Sequence, residues 1–147
     1  MMKYIAKFFL FSITGCLLTF LNGCQALGPK YQRVDSIPEG KGVIYIYKRG
    51  PRAPKGIGAM YTVWADDRPI VNLRQAGYFP FFLYPGKTRI WQKTSKGDVT
   101  LDVEAGKSYY IKAFVTMRWN NPDDFVIMDP AIAEKEIAKC RLIPIGK

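Results

Sequence analysis

The pattern of hydrophobic and polar positions divides the 147-residue chain into three parts. Residues 1–23 carry a short apolar run behind a basic start, and residues 24–41 show no sustained periodicity. From residue 42 onward, short runs of β-branched and aromatic residues alternate with Gly, Pro and Asp, which is typical of an all-β domain. The pattern predicts a lipoprotein signal peptide (1–23), a lipidated N-terminus with a tether (24–41), and a β-sandwich domain with a C-terminal helix (42–147).

The third part is predicted to contain eight strands: Val43–Tyr47, Met60–Ala65, Ile70–Arg74, Tyr78–Tyr84, Thr88–Thr94, Val99–Val103, Tyr109–Met117 and Phe125–Met128. The first has almost no polar residue on either face, which predicts a central strand covered on both sides. Pro80 cannot donate a ladder hydrogen bond, so the fourth strand is predicted to be bulged or at an edge there. Asp66-Asp67 suits a tight turn between the second and third strands. We therefore predict a mainly β fold, a single antiparallel β-sandwich of about 7–8 strands.

The period changes after Asp129, where one short C-terminal α-helix is predicted. Asp129 suits the N-cap, and Pro130 suits the first helical position, where its missing N–H costs nothing. The predicted buried side comprises Ile132, Ala133, Ile137 and Cys140. The charges predicted to complement the helix dipole are Glu134 and Glu136 early, and Lys139 and Arg141 late. This helix is expected to lie against the sheets.

The N-terminal run has the features of a signal peptide, including its helical apolar core. Lys3 and Lys7 precede Phe8–Leu21, whose 14 residues fall short of the roughly 20 that a membrane-spanning helix needs. The run ends in Leu21-Asn22-Gly23-Cys24, which resembles a bacterial lipobox. Cleavage before the cysteine exposes its thiol and amine for acyl chains, and two chains suffice for stable anchoring. The predicted signal-peptidase recognition residues are Leu21, Asn22 and Gly23, and the predicted lipidation site is Cys24.

The length of the apolar segment disfavours two alternatives to this anchor. Ile13-Thr14-Gly15-Cys16 also spells a lipobox, but cleavage there leaves only Phe8–Ser12 as the core, shorter than the roughly 7–15 residues that such cores need. An uncleaved anchor helix is disfavoured by the short apolar run. Gln25, rather than Asp, follows the acylated residue. By resemblance to Gram-negative sorting rules, this implies the outer membrane, at its periplasmic face.

Residues 25–41 are interpreted as a tether between the lipid and the domain, because Gly and Pro interrupt any periodicity. The alternative is an ordered arm that packs on the domain through Tyr31, Val34 and Ile37. The sequence leaves both interpretations open.

The net charge indicates which partners the chain is expected to bind, and the cysteine content indicates the state of Cys140. The formal net charge of +10 falls to +8 once Lys3 and Lys7 leave with the leader. A positive surface beside a membrane is expected to meet anionic lipid phosphates, lipopolysaccharide or acidic glycans. The export signal excludes nucleic acid, the usual partner of such a basic chain. Cys140 would be the one unmodified cysteine of the mature chain, and we expect a buried small side chain rather than a reactive thiol.

Six segments together resemble a known family. They occur in one order: Gly42–Lys48, Val63–Ile70, Gly77–Phe79, Pro85–Thr88, Leu101–Tyr110 and Lys139–Leu142. They resemble a family of small bacterial lipoproteins, the domain of unknown function numbered twenty-eight forty-six, over roughly residues 40–143. The resemblance implies an exported, lipid-anchored β-sandwich similar to transthyretin-like or PEGA-type modules, and it transfers no catalytic residue. The chain departs from the family at Tyr84, where proline is common, and at Thr88, where histidine is common.

Catalytic and metal-binding patterns are not found in the sequence. The chain has no histidine, which removes the Ser-His-Asp and Cys-His pairs and the commonest zinc ligand. Asp66-Asp67 and Asp123-Asp124 are adjacent pairs in predicted turns, whereas a glycosidase needs carboxylates that face each other across a cleft. Calcium binding by Asn120 with the second pair lacks an ordered ligand spacing. We therefore predict no enzyme, no metal site and no cofactor.

Two predicted loops carry candidate contact residues. Arg49, Arg52 and Lys55 form a basic loop that is hypothesised to contact anionic lipid or lipopolysaccharide phosphates, against the simpler interpretation of a solvated loop. Trp119, Asn120 and Asn121 are hypothesised to contact a sugar or a partner protein, against the interpretation that Trp119 caps the core.

The sequence thus favours an envelope protein that is lipid-anchored and acts as a non-catalytic binding or scaffolding module. The alternative is a structural accessory of an envelope assembly that pairs through a strand edge. An enzyme of unrecognised type is the remote third hypothesis.

Overall fold

The computed structural model describes residues 26–50, 60–93, 97–114 and 125–144. In these ranges the strands are β1 (Gly42–Lys48), β2 (Tyr61–Ala65), β3 (Arg68–Leu73), β4 (Gly77–Leu83), β5 (Gly86–Trp91), β6 (Val99–Val103), β7 (Ser108–Ala113), β8 (Phe125–Ile127) and β9 (Arg141–Leu142), and the helix is α1 (Pro130–Ile137). The strands form two sheets, in the orders β8-β7-β1-β4-β9 and β3-β2-β5-β6. The predicted leader, its lipobox and Cys24 lie outside the described residues.

The mainly β, sandwich-like fold with one short helix near the C-terminus confirms the predicted fold class. Two strand pairs nevertheless depart from the antiparallel arrangement, because β1 pairs parallel with β7 and β4 pairs parallel with β9. Parallel neighbours need a crossover connection. Between β1 and β7 the chain passes through the whole four-stranded sheet, which supplies one. β9 was not predicted, since two residues carry no periodicity.

The five-stranded sheet is the middle of three layers. β1 lies at its centre, and all seven β1 residues are buried, as predicted. Ile44 and Ile46 face the four-stranded sheet, in the core between the sheets. Val43, Tyr45 and Tyr47 face the opposite way, into a second apolar cluster beneath α1. A strand with apolar side chains on both faces is therefore placed where both faces are covered.

Two local predictions about turns and edges are also confirmed. Ala65 pairs with Arg68, so Asp66-Asp67 forms a two-residue turn, and Asp66 has a φ of 49° in the left-handed region that Asp tolerates. In β4, β9 pairs only with Gly77 and Tyr78. Past that point, among the described residues, β4 has a strand partner only on its β1 side, and Pro80, opposite Tyr45, lies in this part.

Residues 26–41, hereafter the arm, pack against the domain, as in the ordered alternative. Ala26 is only 4% exposed, and its N–H donates to the Gln75 carbonyl at 3.1 Å. The Val34 N–H donates to the Tyr45 hydroxyl at 3.0 Å. The three residues proposed for the ordered alternative, Tyr31, Val34 and Ile37, all pack on the second cluster. The burial of these three apolar side chains orders the arm, although Gly and Pro interrupt the periodicity of its sequence.

The helix begins as predicted but is shorter than its charge pattern suggested. The Asp129 carboxylate accepts from the Ala131 N–H at 2.9 Å, and α1 ends at Ile137. Ala133, Ile137 and Cys140 are buried, whereas Ile132 is 54% exposed because it lies about 140° around the helix from Ile137. The first turn contains no acidic residue, so the predicted dipole role of Glu134 and Glu136 is wrong. In the described ranges, no helix is long and apolar enough to cross a membrane.

Candidate functional site

The outer face of the four-stranded sheet is the one sheet face that no further layer covers within the described part of the chain. Val63, Ala65 and Ile90 point from it into the core. Trp64 lies between Val63 and Ala65, and Trp91 follows Ile90. Both tryptophans therefore point outward, because side chains alternate along a strand. This face thus presents two large aromatic side chains on its solvent side.

Trp64 and Trp91 form a cross-strand pair. They are directly opposite each other in the β2–β5 register, with ring centroids 5.5 Å apart and ring planes tilted by 33°. Cross-strand aromatic pairs stabilise a sheet by roughly 0.2–1 kcal/mol. Both indoles are half-buried, so the pair also forms a partly accessible aromatic surface. We call Trp64, Trp91, Arg89 and Lys93 the tryptophan face.

Two cations lie over the indole rings. The Lys93 ammonium is 4.6 Å from the Trp64 ring centroid, and the Arg89 guanidinium is 5.5 Å from that of Trp91. Exposed cation–π contacts contribute about 0.5–1 kcal/mol each. Arg89 Nε also donates to Asp98 at 2.6 Å, so Lys93 carries the less compensated charge. The face therefore joins flat apolar surface to positive charge.

The β2–β3 turn positions this face through Asp66. Its carboxylate accepts from the Arg89 N–H at 2.9 Å, and its carbonyl accepts from the Trp91 indole N–H at 2.7 Å. Its own N–H donates to the Arg89 carbonyl at 2.8 Å. The left-handed conformation of Asp66 makes these three bonds possible, so a local turn residue fixes the orientation of Trp91 and of the backbone at Arg89.

The indole N–H of Trp64 differs from that of Trp91. It is buried and has no hydrogen-bond partner among the described residues. An unsatisfied buried donor costs about 1–3 kcal/mol. Trp64 therefore contributes its ring surface to the face, whereas its N–H is turned away from solvent.

A second polar arrangement joins α1 to the middle sheet and is centred on Glu136. Its carboxylate accepts from Tyr47 at 3.0 Å, from Lys112 at 2.9 Å and from Arg49 at 3.0 Å. Burial raises the pKa of Glu136, but the hydrogen bonds from Lys112 and Tyr47 and the charges of Lys112 and Arg49 outweigh it, so the pKa lies below its usual value. Burial and the bond to Glu136 raise the pKa of Tyr47. These groups hold α1 to the middle sheet.

Glu134 joins the arm to the same layer. Its Oε1 accepts from Tyr110 at 2.8 Å and from Arg33 of the arm at 3.3 Å. Burial raises the pKa of Tyr110, and the bonds to Tyr31 and Glu134 raise it further. Both glutamates of α1 therefore bind the sheet or the arm, which replaces the dipole role predicted for them.

Cys140 is buried, as predicted, and its thiol donates to the Lys48 carbonyl at 3.6 Å. Burial raises the pKa of the Cys140 thiol to about 11, partly offset by the nearby Arg49. A thiol with this pKa stays protonated at neutral pH. It is a packing residue.

The structure describes one residue of the predicted basic loop. Arg49 pairs with Glu136 at 3.0 Å, and its side chain remains 38% exposed. Arg52 and Lys55 lie outside the described residues, and so does the second predicted contact group, Trp119, Asn120 and Asn121.

The tryptophan face was not predicted, although the sequence contains a signal for it. Val63 and Ala65 are apolar core residues in a predicted strand, so the alternation already placed Trp64 outward. Ile90 gives the same indication for Trp91. The pairing of the two indoles was not predictable, because two strands lie between β2 and β5 in the sequence: β3 in the same sheet and β4 in the other sheet.

A concave feature lies along β3, apart from the residues of the tryptophan face. A cavity of about 390 Å³ is lined mainly by apolar residues, including Ile70, Phe79 and Ile143, with Arg74 as its charged lining residue. Its lining contains no carboxylate and therefore no acid–base pair. Within the described ranges, no three His, Cys, Asp or Glu residues are grouped so that they could hold a metal ion.

Comparisons of the chain with protein-family models, with curated proteins and with solved structures find no match.

Proposed function

We propose that the chain is a lipid-anchored, non-catalytic binding module of the bacterial envelope, with the tryptophan face as its ligand surface. The anchor rests on the lipobox ending at Cys24 and the short apolar run before it. The observation that carries the binding role is the side-by-side placement of Trp64 and Trp91 on an uncovered sheet face. Aromatic side chains of this kind are enriched at recognition surfaces.

The chemistry of the face indicates an acidic glycan as the ligand class. Indole rings offer flat apolar surface to the C–H face of a sugar. Lys93 and Arg89 lie on the same surface and would meet a carboxylate or a phosphate. A neutral glycan would contact the indole rings but would offer no negative charge to Lys93 and Arg89.

The absence of a histidine supports a binding role over catalysis. Three of the described groups with shifted pKa values, Tyr47, Tyr110 and Glu136, form hydrogen bonds that join α1 to the middle sheet. The resemblance to lipid-anchored β-sandwich proteins without assigned catalytic residues agrees with the proposal.

The alternative, an assembly subunit that pairs through a strand edge, has weaker support. The arm covers part of the β9 edge, where the Leu142 N–H donates to the Pro29 carbonyl at 2.8 Å. The β3 edge carries Pro69, and the register of β3 against β2 shifts between Val63 and Trp64; both features hinder strand addition.

Calorimetric titration tests the binding proposal. The acylated mature protein in detergent would be titrated with phosphorylated core oligosaccharide from lipopolysaccharide and, separately, with neutral dextran. We expect binding of the phosphorylated oligosaccharide only, and a loss of affinity of at least about tenfold in Trp64→Ala/Trp91→Ala, a typical hot-spot effect.

The matched control for this titration is Trp119→Phe, which changes a tryptophan predicted to lie in another loop. It should bind within about twofold of the unmodified protein. If Trp119→Phe loses binding and the double variant keeps it, the ligand surface lies at the loop of Trp119 instead.

A further inference from the structure

The arm leaves almost no slack between the acylated cysteine and the folded domain. Ala26 is buried and hydrogen-bonded to Gln75, and only Gln25 separates it from Cys24. Two residues of extended chain span at most about 7 Å. A lipid attached at Cys24 would therefore be held beside the surface that surrounds Ala26, whichever way the intervening residue points.

Three segments form that surface. The start of the arm, the turn between β3 and β4, and the C-terminal strand β9 meet there through backbone bonds. The Leu142 N–H donates to the Pro29 carbonyl at 2.8 Å, and the Arg141 N–H donates to the Ala76 carbonyl at 2.8 Å. The Arg141 guanidinium also donates to the Gly28 carbonyl at 3.1 Å. We call residues 26–31, 74–77 and 141–144 the arm face.

The arm face has the composition of a surface that meets anionic lipid. It contains three cations, Lys30, Arg74 and Arg141, and no acidic residue. Leu27 stands on it with 72% of its surface exposed, one of the most exposed large apolar side chains among the described residues. Basic residues attract anionic headgroups, and an apolar side chain enters the headgroup boundary.

We infer that the arm face lies directly on the bilayer, with Leu27 in the interfacial region and Lys30, Arg74 and Arg141 against lipid phosphates. The partner is the anionic lipid surface itself. The inference rests on the acylation of Cys24 in the proposed function, but it does not depend on the tryptophan face or its ligand. Each cation contributes roughly fivefold to the attraction at such a surface.

This orientation also sets the position of the tryptophan face. Asp66 precedes β3 and Arg74 follows it, so about 20 Å of strand separates the turn that orients Trp91 from the arm face. The domain would thus hold Trp91 away from the membrane plane while its anchor end touches the lipid.

Fluorescence quenching by nitroxide-labelled lipids tests the orientation. The variants Leu27→Cys and Asp67→Cys, each of which adds one accessible cysteine, would be labelled with a fluorophore in the acylated mature protein and placed in vesicles of phosphatidylcholine with phosphatidylglycerol. Cys140 does not compete for the label because it is buried and protonated. We expect strong quenching at position 27 and at least severalfold weaker quenching at position 67. Equal quenching at the two positions, or none at position 27, would overturn the inference.

Charge variants separate lipid contact from anchoring alone. Lys30→Gln/Arg74→Gln should lower quenching at position 27 in the anionic vesicles, towards the value in pure phosphatidylcholine. The matched control, Arg68→Gln/Lys87→Gln, removes two exposed cations elsewhere and should leave it unchanged. Arg141 is kept because it also bonds to the arm. Equal effects of the two pairs would contradict the assigned surface.

Mass measurement of the same samples distinguishes failure of the anchor from failure of the orientation. Acyl mass on Cys24 together with uniform quenching would refute the orientation and leave the proposed function standing. A protein without acyl mass would refute the anchor and the orientation together.

Discussion

The indole N–H of Trp91 donates to the backbone carbonyl of Asp66 at 2.7 Å, and this bond joins a half-buried ring on β5 to the turn between β2 and β3. The same Asp66 accepts from the Arg89 backbone through its carboxylate. Because Asp66 is in the left-handed region, both its conformation and its side chain contribute to the orientation of the tryptophan face.

Substitutions at Asp66 should therefore rank in a defined order. Asp66→Ala loses the bond from Arg89, worth about 1 kcal/mol, and adds a left-handed backbone penalty of about 1–2 kcal/mol. Asp66→Gly should lose mainly the bond, and Asp66→Asn should lose little, since Asn accepts and tolerates this conformation. Urea unfolding measures the series. An alanine variant as stable as the asparagine variant would contradict the role of the turn.

The Trp64–Trp91 pair should be visible by circular dichroism. Indoles whose centroids are 5.5 Å apart at a 33° tilt couple their transitions, which produces paired bands of opposite sign. Trp64→Phe and Trp91→Phe should each remove the whole couplet, because one ring alone has no partner. Trp119→Phe is the control and should retain it. A couplet that loses only half its amplitude in each variant would indicate that the rings are not paired in solution.

Glu136→Gln should destabilise the protein strongly at neutral pH. The change leaves Lys112, which is mostly buried, without its charged partner, and we expect a loss of about 2–3 kcal/mol. Glu104→Gln is the control, since Glu104 forms an exposed pair with Lys107 and should change stability by less than about 1 kcal/mol. Denaturant unfolding at pH 7 measures both.

The acid dependence of stability follows from the lowered pKa of Glu136. A carboxyl group whose folded-state pKa is lowered adds stability above its unfolded value, about 4.3 for Glu, and loses it as the pH falls through the folded value. The unmodified protein should therefore lose stability in acid more steeply than Glu136→Gln. Parallel curves for the two proteins would show that Glu136 is not the group responsible.

Cys140 should be protected from alkylation. With a pKa of about 11, against an ordinary value near 8.5, its thiolate population at pH 8 is about two orders of magnitude lower than in the unfolded chain. Iodoacetamide should modify the native protein at least that much more slowly than the protein in urea. The stability contributed by the neutral thiol is present below pH 8.5 and is lost as the pH rises towards 11. Equal native and unfolded rates would show that Cys140 is exposed.

The choice between the two lipobox sequences is tested by processing. Cys24→Ser should block acylation and cleavage, so the product should keep residues 1–23. Cys16→Ser, the matched control, should be processed normally, because Cys16 would be discarded with the leader. Intact mass of both products from cells decides it. Normal acylation of Cys24→Ser, with loss of acylation in Cys16→Ser, would place the anchor at Cys16.

The central strand was predictable from sequence because burial on both faces leaves a local signature. Gly42–Lys48 lacks the alternation of apolar and polar residues that a strand with one solvent-exposed face shows. The structure places it in the middle of three layers. The hairpin at Asp66 and the N-cap at Asp129 were predictable for a similar reason, since each depends on the conformational preference of one residue.

The remaining features depend on contacts between distant segments. The arm was ambiguous because its ordering comes from Tyr31, Val34 and Ile37 meeting a surface built later in the chain. Glu134 and Glu136 were assigned to the helix dipole, although their partners lie on strands and on the arm, beyond any local pattern. The tryptophan pair belongs to the same class, because only the sheet order brings β2 beside β5.

The backbone bonds between the arm and β9 join segments that are far apart in the sequence, since the Leu142 N–H donates to the Pro29 carbonyl. The arm therefore cannot complete its docking until β9 has been synthesised. A chain that stops after α1 would lack these bonds, so its arm would be held by fewer contacts and would be more open to proteolysis.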